Sequence, residues 1–207
     1  ITSQTFSVPY DGEKNIGEVG PVKLYTPIYQ TLRNRCWQLY LDSDRTQTVI
    51  RRHLVWNVKN GLRIQFAPKK DVISSCGINV NLEPKSRQVE DMFELWANDK
   101  MSSHNKENTF NQLQEIFIKD AIVGGDVLNI MRCQNGLVTF QCIDGAHMKS
   151  NTMISKLTNG NFMRDSIEYN DKGEHVAYHV NASGKNVRVE AYDSVTGRRQ
   201  AWLHYGS

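Results

Sequence analysis

The sequence predicts an α+β fold in which helices come first and antiparallel hairpins follow. Apolar residues recur at helical spacing through the first half of the chain, and the period drops to two after Gly124-Gly125. Two turn signals, Asn135-Gly136 and Asn170-Asp171-Lys172-Gly173, then separate alternating runs. Helices grouped ahead of strands mark an α+β arrangement, whereas a parallel sheet would alternate the two. The 207 residues suffice for one large domain or two small ones.

Residues 1–23 hold three glycines, two prolines and little periodicity, and read as an arm preceding a body over 24–207. Thr26-Pro27 is a helix start, with Thr as N-cap and Pro at the first helical position. Ile28, Leu32, Cys36 and Leu39 follow at helical spacing. Asp42-Ser43-Asp44 interrupts the pattern and caps a second helix, along which Ile50, Leu54 and Val58 recur. Asn60-Gly61 supplies a left-handed stop. Leu62, Ile64 and Phe66 alternate with Arg63 and Gln65, which predicts a half-buried strand. The polar stretch 67–86 predicts a loop with a short edge strand at Ile78–Leu82. Val89, Met92, Phe93 and Trp96 predict one face of a short helix. Thr109-x-x-Gln112 is a capping box opening the next helix, whose buried stripe is Leu113, Ile116, Phe117 and Ala121 and whose end is Gly124-Gly125.

Val127–Arg132 and Leu137–Ile143 flank Asn135-Gly136, the strongest short hairpin signal, because a type I′ turn demands positive φ at both positions. A two-residue loop there opposes Gln134 to Leu137, Cys133 to Val138 and Asn129 to Cys142. Cys133 and Cys142 then lie four rungs apart, beyond the ~7 Å Cα limit for a disulfide. The second hairpin joins Ser166–Tyr169 to His175–Val180. Val187, Val189 and Ala191 predict a further strand.

Composition narrows the function. The chain is 39% hydrophobic and 23% charged, ordinary for a folded protein. No apolar run approaches the roughly 20 residues that cross a bilayer, and no signal-peptide pattern is present. The chain begins at Ile1 and stops at Tyr205-Gly206-Ser207 without a capping or tail signal, which reads as a fragment. The net charge of +3 comes from 25 basic and 22 acidic residues. Its basic pairs, Arg51-Arg52, Lys69-Lys70 and Arg198-Arg199, are scattered, unlike the basic stripe of a dedicated DNA binder. Binding to duplex DNA is therefore expected to be weak and non-specific. Cys36, Cys76, Cys133 and Cys142 lack the close pairs of zinc or redox motifs and fit reduced thiols in a cytosolic compartment.

No pattern of catalytic or metal-binding residues emerges, so no catalytic, cofactor-binding or metal site and no cofactor is assigned. His175 and His179 share a face of a predicted strand but lie about 13 Å apart at roughly 3.3 Å per residue, too far for one ion; they are expected at the surface. Asp126 after Gly124-Gly125 reads as a turn residue. Glu90-Asp91 and Asp42/Asp44 read as acidic helix starts. There is no G-x-S-x-G elbow, H-E-x-x-H pair or Walker loop. Trp96 lies on an apolar helical stripe and is expected in the core.

Four segments in order carry a resemblance. They are LYTPIYQTLRNRCWQLYLDSDRTQTVIRRHLVWNVKNGLRIQ, VEDMFELWAND, TFNQLQEIFIKDAIVGGDVLNIMR and SIEYNDKGEHVAYHV. The first resembles the opening of lambda-type tailed-bacteriophage portal proteins: an arginine-bearing helix, a break, a helix ending in N-V-hydrophobic-G, then G-hydrophobic-R-hydrophobic-Q. The last is similar to that family's G-V-E-x-D-x-x-G-R-P-V-A-Y-H hairpin. The chain departs from the family at Asp126, where Glu is frequent. It departs again at Cys142–His147, in place of I-E-P-D-R, and in a longer Lys69–Lys85 loop.

The resemblance covers about residues 24–190 and implies a wing-like portal body, truncated before the stem, clip and crown. It implies a non-enzymatic ring subunit, usually of a dodecamer, at one vertex of a phage or prophage head. Such a ring conducts double-stranded DNA during packaging and ejection. It meets terminase large subunit, capsid or scaffold protein, and the head–tail connector. Its place is the virion, reached from the host cytoplasm, with no membrane contact. A fragment lacking the stem is expected to be monomeric or weakly associated. The alternatives are a nucleic-acid-binding module using Arg33, Arg35, Arg45, Arg51 and Arg52, and an enzyme completed by further sequence.

Overall fold

A computed structural model describes residues 29–59, 61–77, 81–134, 136–148 and 155–205. The predicted arm over 1–23 and the Thr26-Pro27 helix start lie outside them. Two compact units divide the chain: Ile1–Gln38 with Ala146–Arg198, and Leu39–Gly145 with Arg199–Ser207. The fold is α+β, with helices followed by antiparallel strands in two sheets.

Helix α1 (Tyr29–Asp42) belongs mostly to the first unit and ends in the second, where α2 (Asp44–Asn57) follows. Ser43 caps α2 by accepting a hydrogen bond from Thr46 N at 3.3 Å, as the Asp42-Ser43-Asp44 break predicts. Ile50 and Val58 are buried on the inner face of α2. Gly61 takes φ +92° at the chain reversal after α2.

The predicted strand at 62–66 is absent. Leu62, Ile64 and Phe66 are all exposed, and the segment carries no regular element. Alternation alone makes no strand: the backbone needs a ladder partner, and here side chains take its amides instead. Leu62 N donates to Gln114 Oε1 at 2.8 Å and Phe66 N to Glu90 Oε1 at 2.9 Å.

The predicted loop over 67–86 contains a short helix, α3 (Lys70–Ser75). Leu82, assigned to an edge strand from sequence, instead opens the long helix α4 (Leu82–Asn98), while Ile78–Val80 lie outside the described residues. Asn81 caps α4 by accepting from Glu83 N at 3.3 Å. Pro84 sits in its first turn, where a missing N–H costs no helical bond. Glu90-Asp91 therefore lies in mid-helix and not at a helix start. Phe93 and Trp96 turn inward, but Met92 is exposed, so it does not share their face.

Helix α5 (Phe110–Gly124) opens with the predicted capping box, both reciprocal bonds being present. It closes on Gly125 at φ +95°. Strands β1 (Asp126–Gln134) and β2 (Leu137–Asp144) form the predicted hairpin, with Gln134 opposite Leu137, Cys133 opposite Val138 and Asn129 opposite Cys142. In the turn Gly136 has φ +77°, so Gly136→Val is expected to lower stability by roughly 1–3 kcal/mol. Chemical denaturation measures it, and an unchanged midpoint would contradict the turn conformation.

Val127, Leu128 and Ile130 of β1 are buried, and α5 packs against both strands. Phe93, Trp96, Phe110 and Phe140 form one aromatic cluster, with Trp96 and Phe110 centroids 4.8 Å apart. Trp96 Nε1 donates to Val138 O at 2.8 Å, so its polar edge is satisfied inside the packing.

The first unit holds β3 (Ser155–Lys156), β4 (Phe162–Arg164), β5 (Ile167–Tyr169), β6 (His175–Ala182) and β7 (Lys185–Glu190), adjacent in that order. The Asn170–Gly173 turn joins β5 to β6 as predicted: Asn170 Oδ1 accepts from Lys172 N at 3.0 Å and Glu174 N at 2.9 Å. Ile167, Tyr178 and Val180 are buried on one face of this sheet. Finally β8 (Ala201–Tyr205), not foreseen from sequence, pairs with the other edge of β1 in the second unit.

Candidate functional site

Two features stand out chemically: a buried polar network in the five-stranded sheet and an exposed mixed surface on the helices of the second unit. The network centres on Glu168, which is fully buried. Register places Glu168 of β5 opposite Ala177 of β6, and His179 of β6 opposite Arg188 of β7, all on one face. Arg188 grips the carboxylate with both ends of its fork, Nε to Oε2 at 2.8 Å and Nη2 to Oε1 at 3.2 Å. Asn159 and Asn161 each donate an amide to Oε1, at 2.7 and 2.6 Å. His179 Nε2 lies 3.4 Å from Oε2.

Bidentate pairing and amide donors favour the ionised form. Foremost through the Arg188 hydrogen bonds, they hold the Glu168 carboxyl down at about 2, against the opposing effect of burial. Its acceptor capacity is taken up within the sheet. The chemistry available to it is that of a strut joining β5, β6 and β7 to the turn between β3 and β4, not of a proton donor.

The two histidines occupy a strand, as the spacing predicts, but they are half-buried and not at the surface. His175 Nδ1 lies 3.1 Å from Tyr178 Oη and its ring meets Tyr169 edge-on at 5.0 Å, while His179 turns to Glu168. Among the described residues no group of three or more His, Cys, Asp or Glu side chains has the arrangement of a metal site.

Sequence reading passed over the network itself. Its only local signal is a glutamate in the hairpin E-x-N-D-x-G-x-H-V-A-Y-H. In the structure that pattern has a physical account: Glu168 and His179 meet, Ala177 and Tyr178 are buried, and Gly173 turns at φ +80°.

Cys142 is half-buried, with Sγ 3.9 Å from Leu113 O. Burial first, and the nearby Asp120 second, push its thiol up to about 12. The thiolate is the reactive form. Alkylation at mildly alkaline pH is therefore expected to modify exposed Cys36, Cys76 and Cys133 and leave Cys142 unmodified. Peptide mass mapping checks this; equal labelling of all four would contradict the burial.

Of the arginines expected to line a nucleic-acid surface, one is buried and four are exposed. Arg33 is only 3% exposed, and its Nη1 donates to Tyr29 Oη at 2.8 Å. Arg35, Arg45, Arg51 and Arg52 are exposed. On α2 the face opposite Ile50 carries Arg45, Val49, Arg52 and Trp56, the last 87% exposed. On α4 the exposed residues between Glu90 and Trp96 are Asp91, Met92, Glu94 and Leu95. Twelve of the eighteen exposed large hydrophobic residues among the described residues fall between Leu39 and Leu95, so apolar exposure concentrates on this helical stretch. Where such residues adjoin, as Val49 and Trp56 do on α2, they mark a candidate contact surface.

The family model for phage portal proteins of the lambda family matches residues 14–204. No curated protein matches the chain.

Proposed function

The chain belongs to the lambda family of phage portal proteins, and on that footing we propose that it is one subunit of the ring forming the DNA conduit at a single capsid vertex. Portal proteins of this kind are structural components of the phage head. The family match over 14–204 is the observation that carries the reading, since it extends across both structural units.

In this reading residues 24–207 are the wing-like body of the subunit and 1–23 an arm. The ring is a dodecamer that admits DNA during packaging and releases it at ejection. It docks the terminase large subunit first and the head–tail connector later, and it contacts capsid or scaffold protein. It assembles in the host cytoplasm and remains at the portal vertex of a phage or prophage virion. The dispersed charge supports this. A conduit must let DNA slide, and a strongly basic surface would hold it by counterion release; the net charge here is only +3. No helix among the described residues is long and apolar enough to cross a membrane.

Interrupting the gene tests the proposal. The expected result is heads without DNA; DNA-filled, infectious particles from the interrupted phage would overturn it.

A further inference from the structure

We propose that the Trp56 face of α2 in one copy seats on the acidic face of α4 in a neighbouring copy, giving a head-to-tail contact between subunits. This rests on the ring reading and assigns residues to it. Both faces belong to the second unit, where α2 and α4 each pack on α5.

The two faces are complementary in charge. The exposed face of α2 carries Arg45 and Arg52 beside Val49 and Trp56, whereas the exposed residues of α4 beside Met92 and Leu95 are Asp91 and Glu94. Their relief differs as well. Trp56 stands 87% exposed as a knob, and a shallow depression lined by Glu94, Leu95, Asn98, Asp99 and Lys100 lies at the end of α4. Each face has an apolar centre with charges around it: Val49 and Trp56 on one, Met92 and Leu95 on the other. An aromatic anchor with charge around it is the usual composition of a binding hot spot.

A second copy is the occupant because the chain itself carries both halves of the match. Two different patches that fit each other make a heterologous contact, which propagates from copy to copy and closes into a ring, whereas a self-complementary patch would stop at a dimer. Opposite charges also set the orientation of approach.

Sedimentation of the chain over a concentration series, with charge-reversed variants, tests this. The native chain is expected to associate weakly, and Trp56→Ala to weaken that association at least tenfold without loss of folded signal, since the side chain is exposed. Arg45→Glu with Arg52→Glu, and separately Asp91→Lys with Glu94→Lys, are each expected to remain monomeric. Mixed together, those two variants offer one native and one charge-reversed pair of complementary faces, and they are expected to associate in alternation although neither does so alone. Combining all four reversals in one chain is expected to restore association.

Undiminished association of every variant would overturn the face assignment while leaving the ring reading standing. A native chain that stays monomeric at every concentration would overturn it too, and imaging of phage heads would then decide the ring reading separately. Duplex DNA binding at physiological salt that is lost with Trp56→Ala would assign the α2 face to nucleic acid instead.

Discussion

Glu168→Ala is expected to lower stability by about 3 kcal/mol, because it strands Arg188, Asn159 and Asn161 around an empty position. Losing one partner of a buried ion pair costs about 3–5 kcal/mol. The lower end applies because the Arg188 side chain is 37% exposed and regains water. The pH dependence gives an independent measure. The ordinary carboxyl value of 4.5 falls to about 2 in the folded protein, chiefly through the Arg188 hydrogen bonds. A folded-state value below the unfolded one means that the ionised form is favoured by folding. The contribution is therefore complete above pH 4.5 and is lost as pH falls towards 2. It amounts to about 3 kcal/mol by linkage, in line with the mutational figure. Urea denaturation between pH 7 and pH 2 measures it. The native chain is expected to lose stability in that acid window, and Glu168→Gln to lack this component. Identical acid slopes for the two proteins would mean that the carboxylate is not held as described.

Gly61→Ala is expected to be the costliest single-methyl change in the second unit. At φ +92° an L-residue is strained, by roughly 1–3 kcal/mol. A Cβ at Gly61 would also overlap the Asn111 side-chain amide, which in turn donates to Asn98 Oδ1 at 3.3 Å. Both parts can be separated. Asn111→Ala in the Gly61→Ala background removes the overlap and leaves the backbone strain, so the double variant is expected to regain part of the lost stability, not all. Full recovery would mean that φ is not the constraint; no recovery would mean that Asn111 is not in the way. The next residue shows why the reversal is held so closely, since Leu62 N is bound by the buried Gln114 side chain of α5.

What could be read from sequence follows a physical division. The Ser43 cap, the Thr109/Gln112 box, the Gly125 stop and the β1–β2 register were legible because each is decided by a few adjacent residues. Features decided by distant partners were not. Leu62, Ile64 and Phe66 alternate as a strand does, yet Gln114 and Glu90 take the amides that a neighbouring strand would need. The first turns of α4 were hidden by Pro84 and polar neighbours, although a helix tolerates proline at its start. Strands β3 and β4 are too short to show a period, the AWLHY of β8 does not alternate, and all three exist through pairing. The Glu168 network needs three strands and the β3–β4 turn brought together before its members become neighbours, so only its glutamate and histidine left a trace in the hairpin pattern. The family resemblance was legible because it depends on the order of several segments, and the family match extends over that whole order.

Imaging of assembled phage heads labelled with antibody against this chain tests the portal assignment most directly. Label is expected at one vertex per head, beneath the point of tail attachment. Label spread over the capsid shell, or confined to the tail, would contradict it.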